Sequence, residues 1–330
     1  MNEVFNMRLW NIYHPTIPGI IAEAIDAPEM LRLQNVGMNC GCEYTSFPLF
    51  QRIHEPYSRF DHSVGVALLI WRFTANPRQS LAGLFHDIST PCFAHVVDFM
   101  LGDSMTQEAT EGGTRAAIEG SAYIQALLRI YGLITDDVAD YHLYPIADND
   151  SPKLSADRLE YTLGNLVNYG FIKASKAKWM LDALDVLENE EGREELGFTK
   201  LEEALAFANG ALDMGRIYVS EPDRFSMQML AELLNDAKMD GVIQMEDLWR
   251  DEPYLIAKLC RDDRYKAAWE RYRHYSQITH GDGGVVIHAK KRYIDPLVRG
   301  VGRVSAIDGE FQSRVEAFLQ ETQDEPLIGF

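Results

Sequence analysis

The stretches RFDHSVGVALLIWRF and LAGLFHDISTPCFAH read as buried helices, except that Asp61, His62, His86, Asp87 and His95 stand among their apolar side chains. An ionisable group taken out of water needs a charge, a hydrogen-bond network or a metal beside it. Whatever fold the chain adopts must therefore bring these groups to partners. From His62, the residues Val66, Leu69 and Phe73 follow at steps of four, three and four, which places them on one helix face with His62 at the end of the stripe.

With 330 residues, 46% of them hydrophobic and 11% aromatic, the chain can bury a substantial core as one large domain or two moderate ones. Its formal net charge of −19 and pI near 4.8 argue against polymeric nucleic acid as a partner, because that binding depends on a basic surface. A local basic pocket for a phosphorylated small molecule is compatible with both values. The cysteines Cys40, Cys42, Cys92 and Cys260 have neither the density of a disulfide scaffold nor paired zinc spacing, and read as reduced thiols. The opening NEVFNMRLWNIYHP lacks a basic segment followed by an apolar one, and no apolar run is long enough to span a bilayer. The expectation is a cytoplasmic protein without a membrane partner.

Helical periodicity dominates. In SADRLEYTLGNLVNYGF, Leu159, Leu163 and Leu166 make a buried stripe, while Asp157, Tyr161 and Asn165 recur every four residues on another face. Further helices are expected from ASKAKWMLDALDVLEN, TKLEEALAFANGALDMGRIYV, FSMQMLAELLNDAKMDG and MEDLWRDEPYLIAKLCR, separated by Gly, Pro and Asp. The acidic ENEEGREE reads as a solvated helix end, and LGDSMTQEATEGGTR as a mobile loop or lid. Near the C-terminus, HGDGGVVIHAKKRYIDPLVRG predicts a short strand or hairpin. This divides the chain into a helical lead-in over 1–44, a core over 45–175, a helical extension over 176–280 and a small mixed segment over 281–330.

Neutral imidazoles with carboxylates suit a divalent Mn, Fe, Co, Ni or Zn ion, and a catalytic site keeps positions open for water and substrate. His62, His86 and Asp87 supply three such groups within a short segment. Asp157, on its polar helix face, is the leading candidate for a fourth.

The ordered words RFDHSVGV, FHDI and ADRLEY resemble the H…HD…D signature of the HD superfamily of metal-dependent phosphohydrolases. PEMLRLQNVGM before them, CFAH after the HD pair and, more weakly, RYIDPLV resemble the deoxynucleoside-triphosphate triphosphohydrolase branch. The likeness runs from Pro28 to Phe171 and more loosely beyond. It implies an all-α HD-domain fold in which His62, His86, Asp87 and Asp157 hold a divalent metal, with Mg also among the candidate ions. By matching position, Arg59 would contact a phosphate and His95 would be a catalytic or substrate-contacting histidine. Arg158, Tyr161 and Asn165 would line the substrate, Tyr161 against a sugar or base. Arg59 could instead be a surface ion pair with Asp61 or Glu55, and His95 a helix-packing histidine. The related branch forms oligomers, so a homo-oligomer is expected from the resemblance alone.

The chain also departs from that pattern. Thr90 stands where many members have a histidine, Ile118-Glu119 where a His-Glu pair is expected, Asn165 where the branch often has an Asp facing the sugar, and Met38 where it has a Gln. The remaining histidines, His14, His54, His142, His274, His280 and His288, have no ligand-like spacing, and His142 and Lys153 read as loop and solvated residues that could also reach the pocket. The resulting expectation is a phosphohydrolase whose metal-bound water attacks phosphorus, with a nucleotide as the first substrate to consider. The alternatives are an HD phosphatase or phosphodiesterase for another substrate, a nucleotide-binding or regulatory HD protein with little turnover, and a structural helical scaffold.

Overall fold

The computed structural model describes residues 9–53, 55–102 and 113–330. The architecture is predominantly helical with small strands, as expected of an HD-type fold. A helix over 9–13 (α1) leads to α2 (Gly19–Ala24) and α3 (Pro28–Arg32). The helices α4 (Arg59–Thr74), α5 (Pro77–Phe85), α6 (Val96–Met100), α7 (Thr114–Gly120), α8 (Ala122–Ile130) and α9 (Ala156–Asn168) follow. Then come α10 (Ala174–Leu181), the hairpin β1 (Leu184–Glu188) and β2 (Glu194–Phe198), α11 (Leu201–Ile217), α12 (Glu221–Met239), α13 (Glu252–Leu259) and α14 (Asp263–His274). The chain closes with β3 (Ile278–Val285), β4 (Leu297–Val298), β5 (Gly302–Arg303), α15 (Val304–Ile307), α16 (Gly309–Gln320) and β6 (Leu327–Gly329). Buried apolar residues from Leu9 to Leu327 form one packed core.

The local chemistry explains where the central helices start. Ser58 caps α4 by accepting from the Asp61 backbone N–H, and Asp61 accepts from the Ser58 backbone N–H in return, a capping box that sets the register of Arg59 and His62. Asn76 caps α5 ahead of Pro77, and Ser155 caps α9. The run from Arg59 to Ile70 is buried without a break, so α4 is the central helix against which α5 and α9 pack.

Several expectations are corrected. The segment ASKAKWMLDALDVLEN is helical only to Leu181, and the acidic ENEEGREE is a hairpin turn and the start of a strand rather than a helix end. Asn189 closes this turn with its side-chain oxygen accepting from the Glu191 and Arg193 backbone N–H groups, and Gly192 takes φ 71°. Strand β1 pairs antiparallel with β2, β2 runs parallel to β4, and β4 pairs antiparallel with β5. Leu196 and Phe198 of β2 are fully buried, with the Phe198 ring 5.5 Å from that of Phe207 on α11. Arg303 ties the sheet together by donating to Glu190 and Glu195. Near the C-terminus the strand expectation holds for β3, which pairs with β6, but 286–296 is irregular because Pro296 and the charged AKKR run cannot extend the ladder. MEDLWRDEPYLIAKLCR splits into a 3₁₀ turn (Met245–Trp249) and α13, and α14 was not anticipated.

All four cysteines are free thiols. Among the described residues no helix is long and apolar enough to cross a membrane. Residues 103–112 of the expected loop LGDSMTQEATEGGTR, and His54, lie outside the described residues.

Phe198→Ala should lower stability by about 3–5 kcal/mol, the usual cost of emptying a buried aromatic position. Urea unfolding would measure it. A loss below about 1 kcal/mol would mean that β2 is not part of the core.

Candidate metal centre

Three elements deliver the ionisable groups. His62 lies in the first turn of α4, His86 is the C-cap of α5 with Asp87 following it, and Asp157 lies in the first turn of α9. His62 Nε2 is 3.2 Å from His86 Nε2, 3.0 Å from Asp157 Oδ1 and 3.9 Å from Asp87 Oδ2. His86 Nε2 is 3.5 Å from Asp87 Oδ2 and 3.6 Å from Asp157 Oδ1. A transition-metal ion about 2.1 Å from each ligand requires neighbouring donor atoms about 3.0–3.4 Å apart, and opposite ones about 4.2 Å. His62, His86 and Asp87 offer ligand atoms that all lie within 4.8 Å of one another, so these three can share a divalent ion, and Asp157 Oδ1 borders them through the two imidazoles.

The outer contacts decide which way the imidazoles face. His62 Nδ1 donates to Glu160 Oε2 at 2.6 Å, an oxygen that also accepts from the Tyr57 hydroxyl at 2.5 Å. His86 Nδ1 donates to the Gly83 carbonyl at 2.7 Å. With both Nδ1 atoms carrying the proton, both Nε2 lone pairs point into the same space, the arrangement that metal-bound histidines adopt. Two lone pairs and two carboxylates so close together repel unless a cation lies between them. Glu160 reaches His62 only because Gly65 faces it; a Cβ there would lie 2.5 Å from the Glu160 carboxylate.

Electrostatics point the same way. Asp87, Asp157 and Glu160 outnumber the guanidinium of Arg59 and the imidazole of His62, an excess of carboxylates that a divalent ion in place of the His62 proton would offset. Burial would lower the His62 pKa, but its hydrogen bonds to Asp157 and Glu160 win and raise it to about 10. A proton on His62 therefore competes for the place a metal would take. Burial opposes ionisation of Asp87, yet Arg59, His86 and His62 hold its carboxyl well below the usual range. The Asp157 carboxyl is also lowered, with burial opposed by His62 and His86.

Around this core, Arg59 Nη1 donates to Asp87 Oδ2 at 2.9 Å, while its buried Nε has no hydrogen-bond partner among the described residues. Thr90 donates from Oγ1 to the other Asp87 oxygen at 2.8 Å, so it orients the ligand where a proton-transfer histidine was expected. His95 Nδ1 donates to the fully buried Asp98 at 2.9 Å. Burial lowers the His95 pKa against the pull of Asp98, and the charges of Arg59 and Arg292 lower it further. The Tyr161 ring is 6.5 Å from that of His62 and 6.3 Å from that of Tyr218. Burial and the Asp157 charge push the Tyr161 phenol up to about 12, so it stays protonated. Asn165 donates to the Tyr218 hydroxyl at 2.8 Å, and its buried Oδ1 has no partner among the described residues.

Two expected groups face elsewhere. The Arg158 guanidinium is engaged by Asp148, the Lys153 carbonyl and Asn149. Ile118 is fully buried in the core and Glu119 is exposed beside Arg115, so neither can stand in for a His-Glu pair. His142 lies in an exposed loop near Asp140 and Asp148, and Lys153 pairs with Glu191. Sequence reading missed Glu160, Tyr57, Tyr141, whose ring is 5.0 Å from that of His86, and Tyr218. Glu160 had a signal, since it stands three residues after Asp157 on the same helix; the others did not.

No family model matches this chain. Over 86% of its length it is 26% identical to "Uncharacterized protein YdhJ" of Bacillus subtilis, covering 85% of that protein. Over 84% it is 25% identical to "Metal-dependent phosphohydrolase cns2" of Cordyceps militaris, covering 80% of that protein.

The centre makes two expectations measurable by calorimetry with Mn²⁺. Asp87→Ala should abolish tight binding, and Glu160→Gln should weaken it about 10–100-fold by loosening His62. Because the metal must displace a proton held on His62 with a pKa of about 10, affinity should rise with pH between about 6 and 8 and binding should release protons. Unchanged affinity in Asp87→Ala, or pH-independent binding, would sink this assignment.

Proposed function

We propose that the chain is an HD-type metal-dependent phosphohydrolase that cleaves a phosphate ester or anhydride of a nucleotide-like small molecule. The observation that carries this reading is the convergence of His62 Nε2, His86 Nε2, Asp87 and Asp157 beside Arg59. The similarity to a protein named a metal-dependent phosphohydrolase supports it. A bound divalent ion would supply Lewis acidity, lowering the pKa of water and polarising a phosphoryl oxygen.

The chain's own residues would do the rest. Arg59, already fixed by Asp87 and with its buried Nε unpartnered among the described residues, would stabilise charge as it develops on a phosphoryl oxygen. His95, oriented by Asp98, would hold or deliver the proton needed by the leaving oxygen. Tyr161 would offer a face for a sugar or base, with Asn165 beside it holding the Tyr218 hydroxyl. A triphosphohydrolase would release inorganic triphosphate, whereas a monophosphatase would release orthophosphate from the same centre. Self-association belongs to this reading through the resemblance.

A second reading, a nucleotide-binding or regulatory protein with little turnover, is favoured by Thr90 and the buried Ile118, which stand where the resemblance expects histidines.

Phosphorus NMR of the Mn²⁺-loaded protein with mixed ribo- and deoxynucleotides, run beside Asp87→Ala, separates these readings. Triphosphate or orthophosphate formed only by the intact protein supports hydrolysis and identifies the bond cleaved. An occupied metal site with no turnover favours the binding role. His95→Gln should reduce kcat about 10²–10⁴-fold with Mn²⁺ affinity unchanged; a kcat equal to the parent would remove His95 from the chemistry.

A further inference from the structure

The reading above needs cations for the substrate's phosphates, and Arg158 has its donors engaged in the 148–153 loop. Another guanidinium is available. We propose that Arg292 forms a second phosphate subsite, binding a substrate phosphate beyond the one at the metal centre; this rests on the phosphohydrolase reading.

Arg292 lies in the irregular segment 286–296, far in sequence from the metal ligands. Its backbone carbonyl packs so closely on Gly215 of α11 that no Cβ would fit there. Gly215 is three residues before Tyr218, whose hydroxyl accepts from Asn165 and whose ring neighbours Tyr161. The segment is anchored on both sides of Arg292. Lys291 donates to the Phe318 and Leu319 carbonyls at the end of α16, at 2.7 and 3.0 Å. Asp295 donates its backbone N–H to the Pro152 carbonyl at 2.8 Å and accepts from Ser305.

The guanidinium is half-buried and has no hydrogen bond or ion pair among the described residues. Its neighbours differ in this respect: Arg299 and Arg303 are both paired with carboxylates. Through its contact with Gly215, Arg292 sits beside the stretch of α11 that leads to Tyr218, and it lies within electrostatic range of His95, Tyr161 and Tyr218, groups assigned to the substrate. In a chain of net charge −19, an unpaired half-buried guanidinium beside a metal centre is suited to an oxyanion. Arg59 lies against the ligand Asp87, whereas Arg292 is packed on the α11 segment that carries Gly215 and leads to Tyr218. The two cations would therefore hold different phosphates of one substrate, favouring di- and triphosphates over monophosphates.

Calorimetry on the full-length Mn²⁺-loaded protein, with orthophosphate and tripolyphosphate as probes, tests this. Arg292→Gln should weaken tripolyphosphate at least about tenfold and orthophosphate less than about threefold, with Mn²⁺ affinity unchanged; Arg292→Lys should recover part of the loss. Equal tripolyphosphate affinity in Arg292→Gln and parent overturns the subsite, as does an equal loss for both probes or a parent that binds neither. Turnover measured in parallel keeps the two claims apart. Tripolyphosphate binding through Arg292 without hydrolysis of any nucleotide retains the subsite and removes the enzyme reading. Hydrolysis with KM and kcat indifferent to Arg292→Gln does the reverse.

Discussion

The hydrogen bond from His62 Nδ1 to Glu160 is the contact on which the centre depends. Glu160 is almost wholly buried where α9 crosses α4, and a buried carboxylate without partners would be costly. Tyr57 and His62 supply those partners, and in doing so they aim His62 Nε2 at the other ligands. Gly65 is part of the same device, because any side chain there would push Glu160 away. One buried interaction thus joins two helices, selects a tautomer and orients a ligand.

Asp87 is organised from the other side. Arg59 donates to one of its oxygens and Thr90 to the other, so the carboxylate cannot rotate freely. Arg59 owes its place to the capping box of Ser58 and Asp61, which fixes the first turn of α4. His86 owes its place to the end of α5, where the Gly83 carbonyl accepts from its Nδ1. The centre is built at the ends of helices, where exposed backbone groups and side-chain caps set direction, while the apolar middle of α4 is buried between its neighbours.

The result is a pocket with more negative charge than its own arginine balances. Metal and substrate phosphate complement each other in such a site: the ion offsets the carboxylates, and the phosphate offsets the ion together with Arg59. Thr90 fits the same logic, since it supplies an orienting bond to Asp87 without adding a titratable group. His95 is held by the buried Asp98.

Much of this was legible in the residue order. The spacing from His62 through Phe73, and of Asp157, Tyr161 and Asn165, marked helices with polar groups on defined faces, and helical period is a local property that burial then reinforces. The ligand words could likewise be read as a set. The β1–β2 hairpin was not, because its charged turn resembles a solvated helix end until Leu196 and Phe198 meet the core. Nor could sequence show that Arg158 turns to Asp148, that Glu160 supports His62, or that the Arg292 backbone packs on Gly215 of α11. The sequence by itself determined the helices and the candidate ligands, since these follow from local periodicity and residue chemistry. The tertiary structure alone decided which charges meet, because partner choice depends on distances across helix contacts that separation along the chain does not encode.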